Sequence, residues 1–281
     1  MFTLARYLIC LLFICTALIS CSNQDQQLAN PPGYDMSKAV QIKLPLELDE
    51  ISGVAYYKVD SSVFAINDEK GWLYKIKRGQ EIKRWKFSSG ADFEDIVMLD
   101  SVFYVLQSNG NIIRLSFNSA NTVAVQNYYF DQQGAKNEFE ILYFDSTRGK
   151  LILICKDCES DTKKTLTTFA FDPAVGKYSG SEFTINASEI AAAVGEKKIK
   201  FKPSAAAINP ADSLLYIISS INKLIVVTTV NGEFRNAYPI DRGIFKQPEG
   251  LTFTPTGGMI ISNEAADIGV ADILFFQYNK Q

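Results

Sequence analysis

The chain has 281 residues, 47% hydrophobic and 12% aromatic, with 28 Lys+Arg against 31 Asp+Glu and no His. That composition suits a packed domain rather than disorder, and without basic clusters interleaved with aromatics it argues against a nucleic-acid partner. The lack of His removes Ser-His-Asp and Cys-His catalysis and His-ligated zinc or haem, so a metal would meet mainly oxygen ligands, which favours a hard cation such as Ca²⁺.

Residues 1–20 place one positive charge, Arg6, before an apolar run from Tyr7 to Ile19. The run has signal-peptide length and is shorter than the ~20 apolar residues of a membrane span. It ends in Leu18–Ile19–Ser20–Cys21, which resembles a bacterial lipobox. The resemblance implies cleavage before Cys21 and acylation there, giving an exported lipoprotein anchored to a bacterial envelope membrane, on the periplasmic or the surface face. Residues 21–38 are polar, contain Pro31–Pro32–Gly33, and are expected to form a flexible tether. Residues 39–281 are expected to form one monomeric domain, since about 260 residues suffice for one core. Without Arg6 the balance is 27 against 31, a net charge of −4.

The rest of the chain reads as short strands rich in β-branched and aromatic residues, such as "ISGVAYY", "SVFAIN", "WLYKIK", "SVFYVLQ", "KLILICK" and "KLIVVTT", split by Asn, Asp, Gly or Ser turns. Two further cysteines, Cys155 and Cys158, form "CKDC" after a strand. No helix pattern follows, so the dipole that activates a thioredoxin-type thiol is missing. A turn disulfide, or two plain thiols, is expected instead. One helix is expected, an insertion near 187–195, with Asn186 as cap, Glu189 three residues on and Gly195 closing it.

Aligning the chain on the residue that opens each strand group gives Glu50, Glu94, Glu140, Ser204 and Glu249. Each is followed by three or four strands within about 40–50 residues, the pattern of a propeller blade. The expected fold is all-β, a β-propeller of four-stranded blades with five units visible. A six-bladed TolB/phytase-like ring, with a degenerate blade in the long interval between Glu140 and Ser204, is the alternative. Ala39–Leu44 is expected to supply the outer strand of the last blade.

In a propeller the first strand of each blade lines the central channel, and the end of the second strand returns to the same mouth. The spacing therefore brings Glu50, Glu94, Glu140 and Glu249 together as metal-ligand candidates. Asp68, Gln107, Lys156, Ser204, Asn263 and Glu264 are candidates for the channel mouth. Carboxylates crowded around one axis repel each other and call for a cation, a proton or a basic neighbour. Asp92, Asp95 and Glu138 are supporting candidates, and Phe93 and Phe139 are expected to pack between blades.

The stretches "LDEISGVAY", "FAINDEKGWLYKI", "DFEDI", "NEFEIL", "KPSAAAINP", "LLYIISS", "QPEGLTF" and "IISNE", together spanning about Leu44 to Tyr278, resemble the SdiA-regulated (YjiK-like) family of bacterial envelope propellers. The resemblance implies a propeller with a central acidic site, calcium-bound, and distant similarity to phytase-like and esterase-like propellers. Two functions follow as expectations. One is a lipid-anchored binding module holding calcium and a ligand. The other is a calcium-dependent hydrolase of phosphate or carboxylic esters, in which a metal-bound water attacks. The hydrolase needs basic residues at the metal, for which Lys156 and with it Lys70, Lys202 or Lys246 are candidates.

Overall fold

Alternating apolar runs closed by tight turns fold into five antiparallel sheets in the computed structural model, which describes residues 29–131, 136–162, 164–265 and 269–280. The leader, Cys21 and the start of the tether lie outside the described residues. Blade 1 comprises Ile51–Tyr57, Ser62–Asn67, Trp72–Ile76 and Lys83–Lys86. Blade 2 comprises Phe93–Leu99, Val102–Gln107, Ile112–Phe117 and Val123–Tyr128. Blade 3 comprises Asn137–Asp145, Lys150–Cys158, Thr165–Asp172 and Lys177–Ser179, with Thr184–Asn186 as an extra strand on the third. Blade 4 comprises Ala205–Ile208, Leu215–Ser219, Leu224–Thr228 and Phe234–Pro239. Blade 5 comprises Pro248–Phe253, Met259–Asn263 and Asp272–Phe276, and Val40–Lys43 completes it from the N-terminal side.

The first strand of each blade lies against that of the next, and the last lies against Ile51–Tyr57, so the ring closes at five. The six-bladed alternative is set aside. The long interval between Glu140 and Ser204 instead carries the extra strand and the helix Ala187–Ala193. Asn186 caps that helix, its Oδ1 accepting from the Ser188 amide at 2.9 Å, and Gly195 ends it at φ +74°, where a side chain would be strained. Ala187, Ile190 and Ala191 bury the helix against blades 3 and 4.

The core is distributed as five apolar clusters, one per blade interface. Phe93 and Phe139 are fully buried there, edge-on to Phe87 and Phe130 at centroid distances of 5.1 and 5.0 Å, the packing role expected of them. Outer strands are polar, as in Lys83–Lys86 ("KRWK"), which discourages edge-to-edge pairing. The chain is held before the closing strand: Tyr34 and Met36 are buried between blades 4 and 5. The Tyr34 hydroxyl donates to the Gly257 carbonyl at 2.6 Å and accepts from Asn209 Nδ2 at 3.0 Å.

Candidate functional site

The inner strands open alike. Cross-strand register pairs Ile51 with Asn67, Phe93 with Gln107, Phe139 with Cys155 and Pro248 with Asn263. In each strand the register then slips, a β-bulge that re-aims the next side chain. Those next residues are Ser52, Glu94, Glu140 and Glu249, and Ser204 holds the same place just before the Ala205–Ile218 pair. Two residues further along, past the bulge where there is one, stand Val54, Ile96, Leu142, Ala206 and Leu251, each 1–4% exposed. They form an apolar collar across the channel. Beyond it lies a cavity of about 580 Å³ walled also by Tyr56, Met98, Phe144, Ile208 and Phe253.

Above the collar is a cavity of about 300 Å³ lined by Ser52, Asp68, Asp92, Glu94, Glu138, Glu140, Lys156, Gln247, Glu249 and Glu264. Burial over the apolar floor is the first cause that raises the pKa of Asp68, Glu94, Glu140, Glu249 and Glu264. Burial, then Glu140 and Asp92, pushes Glu94 well above the usual carboxylate range. Burial raises Glu140 too, although its contact with Lys156 opposes this. Glu249 is pushed to about 8 by burial, then by Glu140 and Glu264. Glu264 is pushed to about 7 by burial, then by Asp68, Glu50 and Asp49. Asp68 is pushed to about 6 by burial, then by Glu50. Burial works against the charge on Lys156, yet its pairing with Glu140 and with Glu138 at 3.1 Å keeps its pKa above the ordinary value.

The donor set suits a hard cation, and Asp68 Oδ1 is buried without a hydrogen-bond partner. The ring is nevertheless wide. Among the described residues, the one group of three potential ligand atoms mutually within 4.8 Å belongs to Cys155, Cys158 and Asp161. The two sulfurs of that group form a disulfide, the turn bridge that was one of the two expectations for them. A cation at the mouth would therefore be held by a subset of the carboxylates, with water completing the shell.

The structure corrects the sequence alignment by two residues in blade 1. Ser52, not Glu50, is the counterpart of Glu94, Glu140, Ser204 and Glu249. Glu50 is the counterpart of Asp92, Glu138, Lys202 and Gln247. The buried residue between the two tiers, Ile51, Phe93, Phe139, Pro203 or Pro248, is the landmark that carries the true register. Glu50 still acts on the site through Asp68 and Glu264. Asp68, Lys156 and Glu264 line the cavity.

Gln107 and Asn263 do not line it. They sit one residue earlier, opposite Phe93 and Pro248. Asn263 is fully buried and donates to Asp272 Oδ1 at 2.9 Å and to the Ile244 carbonyl at 3.1 Å, a strut inside blade 5. Asp95 is structural as well: its carboxylate accepts from the Ile96 amide at 2.8 Å and the Leu142 amide at 2.9 Å, tying blade 2 to blade 3. Lys70 faces Asp49 at 3.9 Å, and it lines neither cavity at this mouth. Lys202 and Lys246 do reach the mouth with Ser204, in a neighbouring cavity that also holds Lys223, a residue the sequence gave no reason to place there.

A closed five-bladed propeller with a carboxylate-rich mouth above an apolar collar is the class of protein these features define. The chain belongs to the SdiA-regulated family, whose model matches residues 32–267. No curated protein matches it. Among solved structures, a glutaminyl cyclase from Myxococcus xanthus aligns over 86% of this chain and 98% of its own at 12% identity and TM-score 0.54. The calcium-binding protein regucalcin from Agrobacterium tumefaciens aligns over 82% and 91% at 10% identity and TM-score 0.52. A streptogramin B lyase aligns over 81% of this chain and 66% of its own at 13% identity and TM-score 0.44. At these identities the likeness to the cyclase and to regucalcin is one of fold.

Proposed function

We propose that this protein is a binding module whose acidic mouth takes a divalent cation, calcium by donor chemistry, and that Cys21 anchors it to a bacterial envelope membrane. The observation that carries the cation reading is the convergence of Asp68, Glu94, Glu140, Glu249 and Glu264 from four blades over an apolar floor, with Lys156 as the cation in that cavity. Calcium fits a wide oxygen-lined ring better than magnesium does, because it accepts six to eight ligands in flexible geometry with water among them. Zinc is disfavoured, since there is no His and the Cys155 and Cys158 sulfurs are bonded to each other. The anchor reading rests on Arg6, the apolar run after it and Leu18–Cys21.

The cation reading is tested by calorimetric titration of Ca²⁺ into chelator-treated protein at a pH near 8. A single saturable site is expected, with a dissociation constant on the order of 10⁻⁵–10⁻³ M, weakened about tenfold by Asp68→Asn or Glu249→Gln. Absence of saturable heat in the parent protein would sink it. The anchor reading predicts that Cys21→Ser moves the protein from the membrane to the soluble fraction of the producing cell, and an unchanged distribution would overturn it.

A further inference from the structure

The acidic cavity continues into a second one of about 410 Å³ at blades 4 and 5, and the two share Glu140, Lys156, Gln247 and Glu249. Away from the shared Glu140 and Glu249 its wall is basic: Lys202, Lys223 and Lys246 join Lys156, with Ser204 and Ser220 beside them. Two of these ammonium groups are already paired, Lys156 with Glu140 and Glu138, and Lys202 with the half-exposed Asp157. The other two are not. Lys223 Nζ donates to the Lys246 carbonyl, and among the described residues neither Lys223 nor Lys246 has an ion-pair partner.

The basic wall is also built rather than incidental. Lys223 sits at φ +54°, a left-handed conformation that a non-glycine residue adopts at a cost. The turn before it is held by side chains: Ser219 Oγ lies 2.8 Å from Asn222 Oδ1 and donates to the Lys202 carbonyl, and Asn222 Oδ1 accepts from the Lys202 amide at 3.0 Å. One network therefore fixes Lys202 and Lys223 together at the cavity. Burial holds the Lys223 ammonium below its ordinary pKa, with Glu249 opposing and Arg242 reinforcing that shift. A half-buried ammonium without a carboxylate partner is unfavourable unless an anion meets it.

The anion's chemistry follows from the donors. No arginine lines the cavity, so the flat bidentate fork that selects a carboxylate is missing. Several compact point charges arranged around a cavity suit a tetrahedral dianion, which presents acceptors in every direction. We propose that the lysine-walled cavity is a phosphoryl-binding subsite, taking inorganic phosphate or the phosphate group of a larger ligand against Lys202, Lys223 and Lys246. This names the chemistry of the ligand in the binding reading above, and the lysine wall itself does not depend on the cation.

The test is titration of chelator-treated protein with inorganic phosphate and, separately, with phenyl phosphate and acetate, read by calorimetry, and repeated with Ca²⁺ for phenyl phosphate. Saturable 1:1 phosphate binding is expected, weakened about tenfold by Lys223→Met and by Lys246→Gln and little changed by Lys70→Gln. Lys246→Gln keeps the test usable if Lys223→Met fails to give a cooperative unfolding transition. Phenyl phosphate binding more tightly than phosphate would assign the site to a larger ligand, and equal affinities would assign it to the free anion. No saturation by either at concentrations on the order of 10 mM, binding that survives both lysine substitutions, or acetate binding as well as phosphate would overturn the proposal. Phosphate binding without calcium binding retires the cation reading alone, and calcium binding without phosphate binding retires this one alone.

Discussion

Replacing Glu249 by Gln should stabilise the metal-free protein at neutral pH. Glu249 enters the mouth at a bulge, over the collar and beside Glu140 and Glu264, and its pKa is pushed from 4.5 to about 8. A carboxyl raised in the folded state contributes stability that is fully present below its unfolded pKa and is lost as pH rises through the folded value. At pH 7 the unfolded chain has released the proton and the folded one still holds it. The gap is then worth about 3 kcal/mol, reduced to ~1–3 kcal/mol by water in the open cavity. Gln keeps the shape and has no proton to lose, so the variant should recover that amount, about 3–10 °C in melting temperature for a domain of this size. At pH 4.5 the folded parent is protonated and the unfolded chain is half protonated, and the difference should shrink below about 1 kcal/mol. Thermal unfolding in chelator at both pH values reads this directly. A variant that melts no higher than the parent at pH 7, or that gains equally at pH 4.5, would refute the argument that crowded, buried carboxylates strain the mouth. Saturating Ca²⁺ should narrow or invert the gap, since a ligand at a hundred times its dissociation constant stabilises the parent by about 2.7 kcal/mol and the variant by less.

Three other outcomes are expected. Asp95→Ala strands the amides of Ile96 and Leu142 between blades 2 and 3, and should lower stability by about 2–4 kcal/mol in urea unfolding; a loss under about 1 kcal/mol would show that water replaces the carboxylate. Removing the chain through Lys43 leaves Asp272–Phe276 as a bare edge and deletes Tyr34 and Met36 from the blade 4–5 cluster. It should give rapid amide exchange in blade 5 and aggregation on gel filtration; a monomer with parental exchange would contradict the closure role. A screen of carboxylic and phosphate esters with and without Ca²⁺ should show no turnover, and calcium-dependent turnover lost in Glu94→Gln would replace the binding reading with the hydrolase.

The blades were legible because strand alternation and turn chemistry are local. The closing strand was legible because Val40–Lys43 stands unpaired at the start while the last unit lacks a fourth strand. Ring size was less so: the interval between Glu140 and Ser204 runs about 20 residues longer than the others, room for part of a further blade, and only "NASEIAAAVG" argued that it was filled by a helix. The blade 1 register went astray because Glu50–Ile51–Ser52 offers an acid two residues before the bulge. Loops entering strands accept acids freely, whereas the apolar residue between the tiers is fixed by inter-blade packing, so Ile51 was the safer landmark. Lys202 and Lys246 were legible as candidates for the mouth, but Lys223 was not, since it comes from a turn inside blade 4 and only the closed ring brings it to the same cavity.

Five near-equivalent blades offer five equivalent places at each tier, and the chain fills them unequally. Serines at 52 and 204 spare the collar two further buried charges. Lys156 stands among Glu94, Glu138 and Glu140, where repulsion would otherwise be greatest. The least compensated carboxylates lie elsewhere: burial and neighbouring carboxylates are the main causes that raise Asp68 and Glu264. In the proposed reading a cation therefore gains most at the seam of blades 5 and 1, where Asp68 Oδ1 lacks a partner. The unpaired lysines mark the seam of blades 4 and 5, and Glu249 stands between the two, on the wall of both cavities. The mouth is thus polarised across blade 5, an arrangement suited to a ligand whose anionic group meets the lysines while a cation, in the proposed reading, balances the carboxylates.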